Sequence, residues 1–127
     1  MQLGTRILSD AVIHHNYSGP QHVYLNIENN LRPMELSVDK PICLGRLDPP
    51  ADLDTVVDLE NMGGMEKGVS RCHARISKRN GKLIIEDLGS LNGTFLNAKK
   101  LSPYMPANLE NGDYVHLGTL LIQVGVF

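Results

Sequence analysis

The chain has 127 residues, 42% hydrophobic and 20% charged, which suits one self-sufficient domain and is too apolar for a disordered chain. Its two cysteines, Cys43 and Cys72, are too few for a disulfide framework or a four-ligand zinc site and read as reduced thiols of a cytoplasmic protein. No apolar run reaches the roughly 18 residues of a membrane span, and the opening residues lack the apolar core of a secretory signal, so neither a membrane protein nor a secreted mini-scaffold is expected.

Residues 1–21 carry scattered apolar positions and are expected to form an arm or linker ahead of a domain spanning 22–127. His22–Glu28 then alternates, with Val23, Leu25 and Ile27 on one face and Tyr24, Asn26 and Glu28 on the other. Met34–Asp39 repeats the pattern, and Leu44-Gly45-Arg46 closes another predicted strand. Residues 47–69, with Pro49-Pro50 and Gly63-Gly64, are expected to be one long loop. Arg75–Arg79, Asn80-Gly81 and Lys82–Asp87 read as a hairpin, because Asn-Gly accepts the positive φ angles of a tight turn. Asn-Gly recurs at Asn92-Gly93 and Asn111-Gly112, and Tyr114–Leu117 and Leu120–Phe127 are further period-2 segments. No long window carries a helical stripe, so the pattern predicts an all-β antiparallel sandwich or barrel.

The net charge of −2 conceals two opposed blocks. Residues 48–66 hold Asp48, Asp52, Asp54, Asp58, Glu60 and Glu66 with no Lys or Arg; residues 67–82 hold Lys67, Arg71, Arg75, Lys78, Arg79 and Lys82 with no acid. A short basic segment on a mildly acidic chain points to a small anion, not to a duplex-binding face. Lys78, Arg79 and Lys82 flank the predicted hairpin turn and fit a solvated, aggregation-resistant edge. The site reading therefore rests on the start of the block, Ser70 and Arg71.

Enzyme motifs are absent or out of context. Gly63–Ser70 (GGMEKGVS) nearly matches a P-loop but has Val69 where the lysine belongs, with a loop before it and a strand after it. No GxSxG elbow occurs. The neighbouring His14 and His15 would point apart in regular structure, so no metal is expected. Asn16-Tyr17-Ser18 and Asn92-Gly93-Thr94 match the glycosylation sequon without consequence in the absence of a secretory signal.

Three segments carry usable chemistry. Arg46 offers a planar fork of donors for phosphate or carboxylate oxygens, or is a surface charge at a strand end. Ser70 offers a hydroxyl beside the charge of Arg71, or caps a turn. Asn92, followed by Gly93, has an amide able to bond both C=O and N–H of a passing backbone, or is simply a turn residue.

Gly45-Arg46, Ser70-Arg71-x-His73 and Asn92-Gly93-Thr94 with Asn97, in this order and with these gaps, resemble the forkhead-associated (FHA) domain. The run Leu109-x-Asn111-Gly112-Asp113-x-Val115-x-Leu117-Gly118 is similar to that family's closing strands, and the resemblance covers about residues 22–127. It implies a β-sandwich of about eleven strands that recognises phosphothreonine in a partner protein and has no enzymatic activity; no cofactor or membrane is expected, and the overall charge, with four tyrosines and no tryptophan for base stacking, disfavours nucleic acid. It further implies that Arg46 and Ser70 contact the phosphate, that Arg71 adds a contact to phosphate or nearby peptide, and that Asn92 holds the peptide backbone. Gly45, His73, Gly93, Thr94 and Asn97 are implied to be architectural. The position before the asparagine, often Ser or Thr in the family, is Leu91, which cannot donate; either the site is one hydrogen bond short or Ser90 or Arg71 substitutes. Leu91 and the acidic loop leave open an alternative, a scaffolding domain that binds without phosphate.

Overall fold

Alternation decides which side chains enter the core. Strand β1 (His22–Ile27) buries Val23, Leu25 and Ile27, and β11 (Leu120–Val126) buries Leu120, Ile122 and Val124, with Val124 opposite Leu25 and Ile122 opposite Ile27. The computed structural model describes residues 19–46 and 55–127. The other strands are β2 (Met34–Ser37), β3 (Ile42–Gly45), β4 (Thr55–Asp58), β5 (Cys72–Arg79), β6 (Lys82–Asp87), β7 (Thr94–Leu96), β8 (Lys99–Lys100), β9 (Ala107–Asn108) and β10 (Tyr114–Leu117). They form a six-stranded sheet, β2-β1-β11-β10-β7-β8, and a five-stranded sheet, β4-β3-β5-β6-β9. Ile42, Leu44, Ala74, Ile76, Leu83 and Ile85 of the second sheet share one buried apolar cluster with the inward face of the first. Among the described residues these eleven strands form the expected all-β sandwich. Of the expected arm, residues 1–18 lie outside the described residues, whereas Gln21 already donates to the Phe127 carbonyl and accepts from Val38.

Three expectations need correction. Residues 47–69 are not loop throughout: β4 and a single 3₁₀ turn, Glu60–Met62, lie within them. β4 is short, buries fully only Val57 and so shows no alternation to read. It also runs parallel to β3, the exception in sheets otherwise paired antiparallel, and a parallel partner leaves no local turn signal. Second, of the Asn-Gly pairs only Asn80-Gly81 has both residues at positive φ, 52° and 76°, as a type I′ hairpin needs. The β7–β8 turn uses Asn97-Ala98 instead, at 49° and 71°. Third, the strand expected over Met34–Asp39 ends at Ser37, although Val38 beyond it is still buried.

Strand β5 has Ser70 and Arg71 ahead of one end and the Asn80-Gly81 turn at the other. Eight residues at about 3.4 Å each separate those ends by roughly 25 Å. The basic block is thus divided, with Arg79 facing Lys82 across the hairpin and Arg71 at the opposite rim.

Candidate functional site

The site begins where β3 and β5 stop pairing regularly. Leu44 faces Ala74 and Gly45 faces Cys72, so His73 is the extra residue of a β-bulge. Simple alternation from the buried Ala74 would turn His73 outward; the bulge turns it in, to 0% exposure. There its Nδ1 accepts from the Ser70 N–H at 2.9 Å, which leaves Nε2–H to donate to the Gly93 carbonyl at 2.8 Å. One imidazole thus joins the loop before β5 to the loop before β7. At the same place the Arg46 N–H donates to the Arg71 carbonyl at 2.9 Å. That approach requires Gly45, because a Cβ there would stand 1.8 Å from the Arg71 carbonyl oxygen.

Arg46 extends from this crossing with its side chain 18% exposed. Its Nε donates to the Val69 carbonyl at 2.7 Å, and one Nη1 hydrogen meets Glu60 Oε1 at 3.3 Å. Ser70 Oγ accepts from the Leu91 N–H at 3.1 Å, so its own hydrogen remains for an anion. Arg71 is exposed at the rim beside it. Asn92 is exposed too; its Nδ2 donates to the Gly68 carbonyl at 3.0 Å, leaving Oδ1 and the other amide hydrogen for a passing backbone. Next to Asn92 an open groove of about 420 Å³ runs between Lys67, Gly68, Phe95 and Gly118. A cleft of about 300 Å³ by Lys82 and Asn108 lies at the hairpin end and gathers none of these donors.

The loop carrying Asn92 is organised by a residue to which no role was assigned from sequence. Asp87, 2% exposed at the end of β6, accepts from the Gly89 N–H at 3.1 Å, the Ser90 N–H at 3.2 Å, Ser90 Oγ at 2.5 Å and Thr94 Oγ1 at 2.7 Å. Ser90 Oγ in turn accepts from the Gly93 N–H at 3.0 Å. A hydroxyl has one hydrogen, and that of Ser90 is committed to Asp87. Ser90 therefore does not stand in for the hydroxyl missing at Leu91, contrary to the expectation from sequence, and belongs with the loop support. Leu91 itself is 87% exposed. Asn97 ties its turn to β10, donating to Asp113 Oδ1 at 3.0 Å and accepting from the Tyr114 N–H at 2.9 Å. The sequence signal for Asp87 was its place ahead of a Gly-Ser turn, where a short carboxylate commonly accepts from the backbone that follows.

Burial pushes the His73 pKa below its ordinary 6.5, against the upward pull of the Gly93 carbonyl and the Asp87 charge. A base whose pKa is lowered by folding contributes stability that is full above 6.5 and is lost as pH falls from there through the folded value. Protonation would also place an N–H at Nδ1 against the Ser70 N–H. In a proton NMR titration His73 is expected to stay neutral below pH 6.5; a midpoint at or above that value would contradict the arrangement.

An all-β sandwich whose loops gather Arg46, Ser70 and Asn92 at one rim defines the class. The family model of the FHA domain matches residues 42–118, a span that contains every one of these side chains, and the chain belongs to that family. It is 45% identical over 53 residues to an FHA domain-containing protein of Arabidopsis thaliana, covering 42% of this chain and 14% of that protein; the chain thus spans only a small part of this curated relative's length. Its fold matches the solution structure of the FHA domain of an Arabidopsis thaliana hypothetical protein with TM-score 0.67 and 26% identity, over 97% of this chain and 94% of that one. A structure reported for phosphothreonine-dependent FHA domain interactions matches with TM-score 0.61 and 25% identity, over 84% and 97% of the two chains.

Proposed function

We propose that this chain is an interaction module, not an enzyme, that binds a phosphothreonine-containing partner protein through the loops at one end of the sandwich. Arg46, Ser70 and Arg71 take the phosphate and Asn92 the peptide backbone. Gly45, His73, Asp87, Ser90, Gly93, Thr94 and Asn97 hold those loops in place. The observation that carries this reading is the convergence of Arg46 with the 68–71 segment across 23 residues of sequence, through the Val69 and Arg71 carbonyls. The phosphothreonine-dependent interactions of the FHA structure described above support it.

Phosphate alone does not account for useful affinity. Two or three charge-assisted hydrogen bonds at roughly 1.5–3 kcal/mol each give about 3–9 kcal/mol gross, while micromolar binding needs about 8 kcal/mol net of ordering costs. Backbone contacts through Asn92 and a peptide side chain in the groove beside it supply the remainder. Fluorescence anisotropy with a degenerate phosphothreonine peptide pool is expected to show micromolar binding that the unphosphorylated pool lacks, with a phosphoserine pool as a further control. Equal binding of phosphorylated and unphosphorylated pools would favour the phosphate-independent scaffold instead.

A further inference from the structure

We propose that Glu60 limits the affinity of the phosphate site by competing for Arg46, an inference that rests on the phosphothreonine reading above. The contact has the geometry of a displaceable ligand. Glu60 Oε1 reaches a single nitrogen, Nη1, at 3.3 Å, longer than the roughly 2.7–2.9 Å of a strong charge-assisted bond and without the paired fork of a bidentate one. The aim of the guanidinium does not depend on it. Arg46 is fixed by its Nε on the Val69 carbonyl at 2.7 Å and by its backbone N–H on the Arg71 carbonyl at 2.9 Å. Glu60 thus adds charge, not orientation.

Its placement is nevertheless built into the fold. Leu59 is fully buried and anchors the 3₁₀ turn, and the Glu60 N–H is capped by Asp58 Oδ1 at 2.9 Å. The carboxylate is therefore delivered to the guanidinium by its own backbone. A phosphothreonine brings close to two negative charges. When it bonds Arg46, Glu60 is left beside it as a like charge, 39% exposed and next to a guanidinium only 18% exposed, where solvent screens less than in bulk water. Phosphate binding thus has to displace or tolerate a carboxylate already seated on its main cation.

The Glu60→Gln variant removes the charge and keeps the size. It is expected to bind the phosphothreonine pool three- to tenfold more tightly than the unaltered protein, to leave the unphosphorylated pool unchanged, and to melt at the same or a slightly lower temperature. A purely structural role would lower affinity and melting temperature together. Glu110→Gln, the same change of net charge on an exposed residue of the β9–β10 loop, is expected to alter affinity less than twofold. Equal or weaker binding by Glu60→Gln, or equal tightening by Glu110→Gln, overturns the inference while the phosphothreonine reading stands. Failure of the unaltered protein to bind the pool removes that reading and the inference with it.

Discussion

Arg46→Ala is expected to weaken phosphothreonine-peptide binding on the order of 100-fold, the largest loss among the rim residues. The side chain would supply two charge-assisted hydrogen bonds to phosphate, and losing about 3 kcal/mol, the low end for two such bonds, is roughly two decades in Kd. Partial burial makes the effect larger than that of a surface lysine, because the charge faces few competing waters. Arg46→Lys separates charge from shape. It keeps the cation but loses the planar fork and the Nε bond to the Val69 carbonyl, so its affinity is expected to fall between the two. Isothermal titration calorimetry with one phosphothreonine peptide, with circular dichroism to establish folding, checks both. A folded Arg46→Ala protein that binds within about threefold of the unaltered chain would remove Arg46 from the site. By the same reasoning a glutamate in place of phosphothreonine is a poor mimic, since it brings one charge and fewer acceptor oxygens.

The second large effect is on stability. Asp87→Ala is expected to cost about 3–5 kcal/mol, because it strands two hydroxyls and two amides that now share one buried carboxylate. For a domain whose total stability is about 5–15 kcal/mol, that is a substantial fraction. Urea denaturation followed by circular dichroism measures it, and a loss below about 1 kcal/mol would show that the loop is held by other means. Burial by itself would raise the Asp87 pKa, but the bonds from Ser90 and Thr94 and the proximity of His73 outweigh it and hold the carboxyl below its ordinary 3.8. An acid with a lowered pKa contributes stability that is full above 3.8 and is lost as pH falls from there through the folded value. The acid limb of the stability curve should therefore flatten in Asp87→Ala. Binding should suffer along with folding, since Gly93 and Asn92 sit on the loop that Asp87 organises.

Much of this molecule is legible along the chain because its signals are local. The period-2 segments from Val23 to Ile27 and from Leu120 to Val124 bury the faces their alternation predicts. Asn80-Gly81 makes the hairpin that its backbone preferences dictate. Arg46, Ser70, Arg71 and Asn92 stand out along the chain as candidate site residues because their types and spacing match a recurring pattern. Ser90 reads differently from sequence and from structure because a sequence shows a hydroxyl but not what its hydrogen is bonded to.

Composition, alternation and turn chemistry thus determined an all-β domain, the faces of most of its strands and the residue types able to meet a phosphate. Tertiary structure alone decided that β4 pairs in parallel with β3, that a bulge turns His73 inward to link two loops, and that Glu60 rests on Arg46. Each of these depends on a partner distant in sequence or on a one-residue shift of register. Neither leaves a mark on local periodicity, since the faces of a strand are set by its own alternation whereas its neighbours are set by packing.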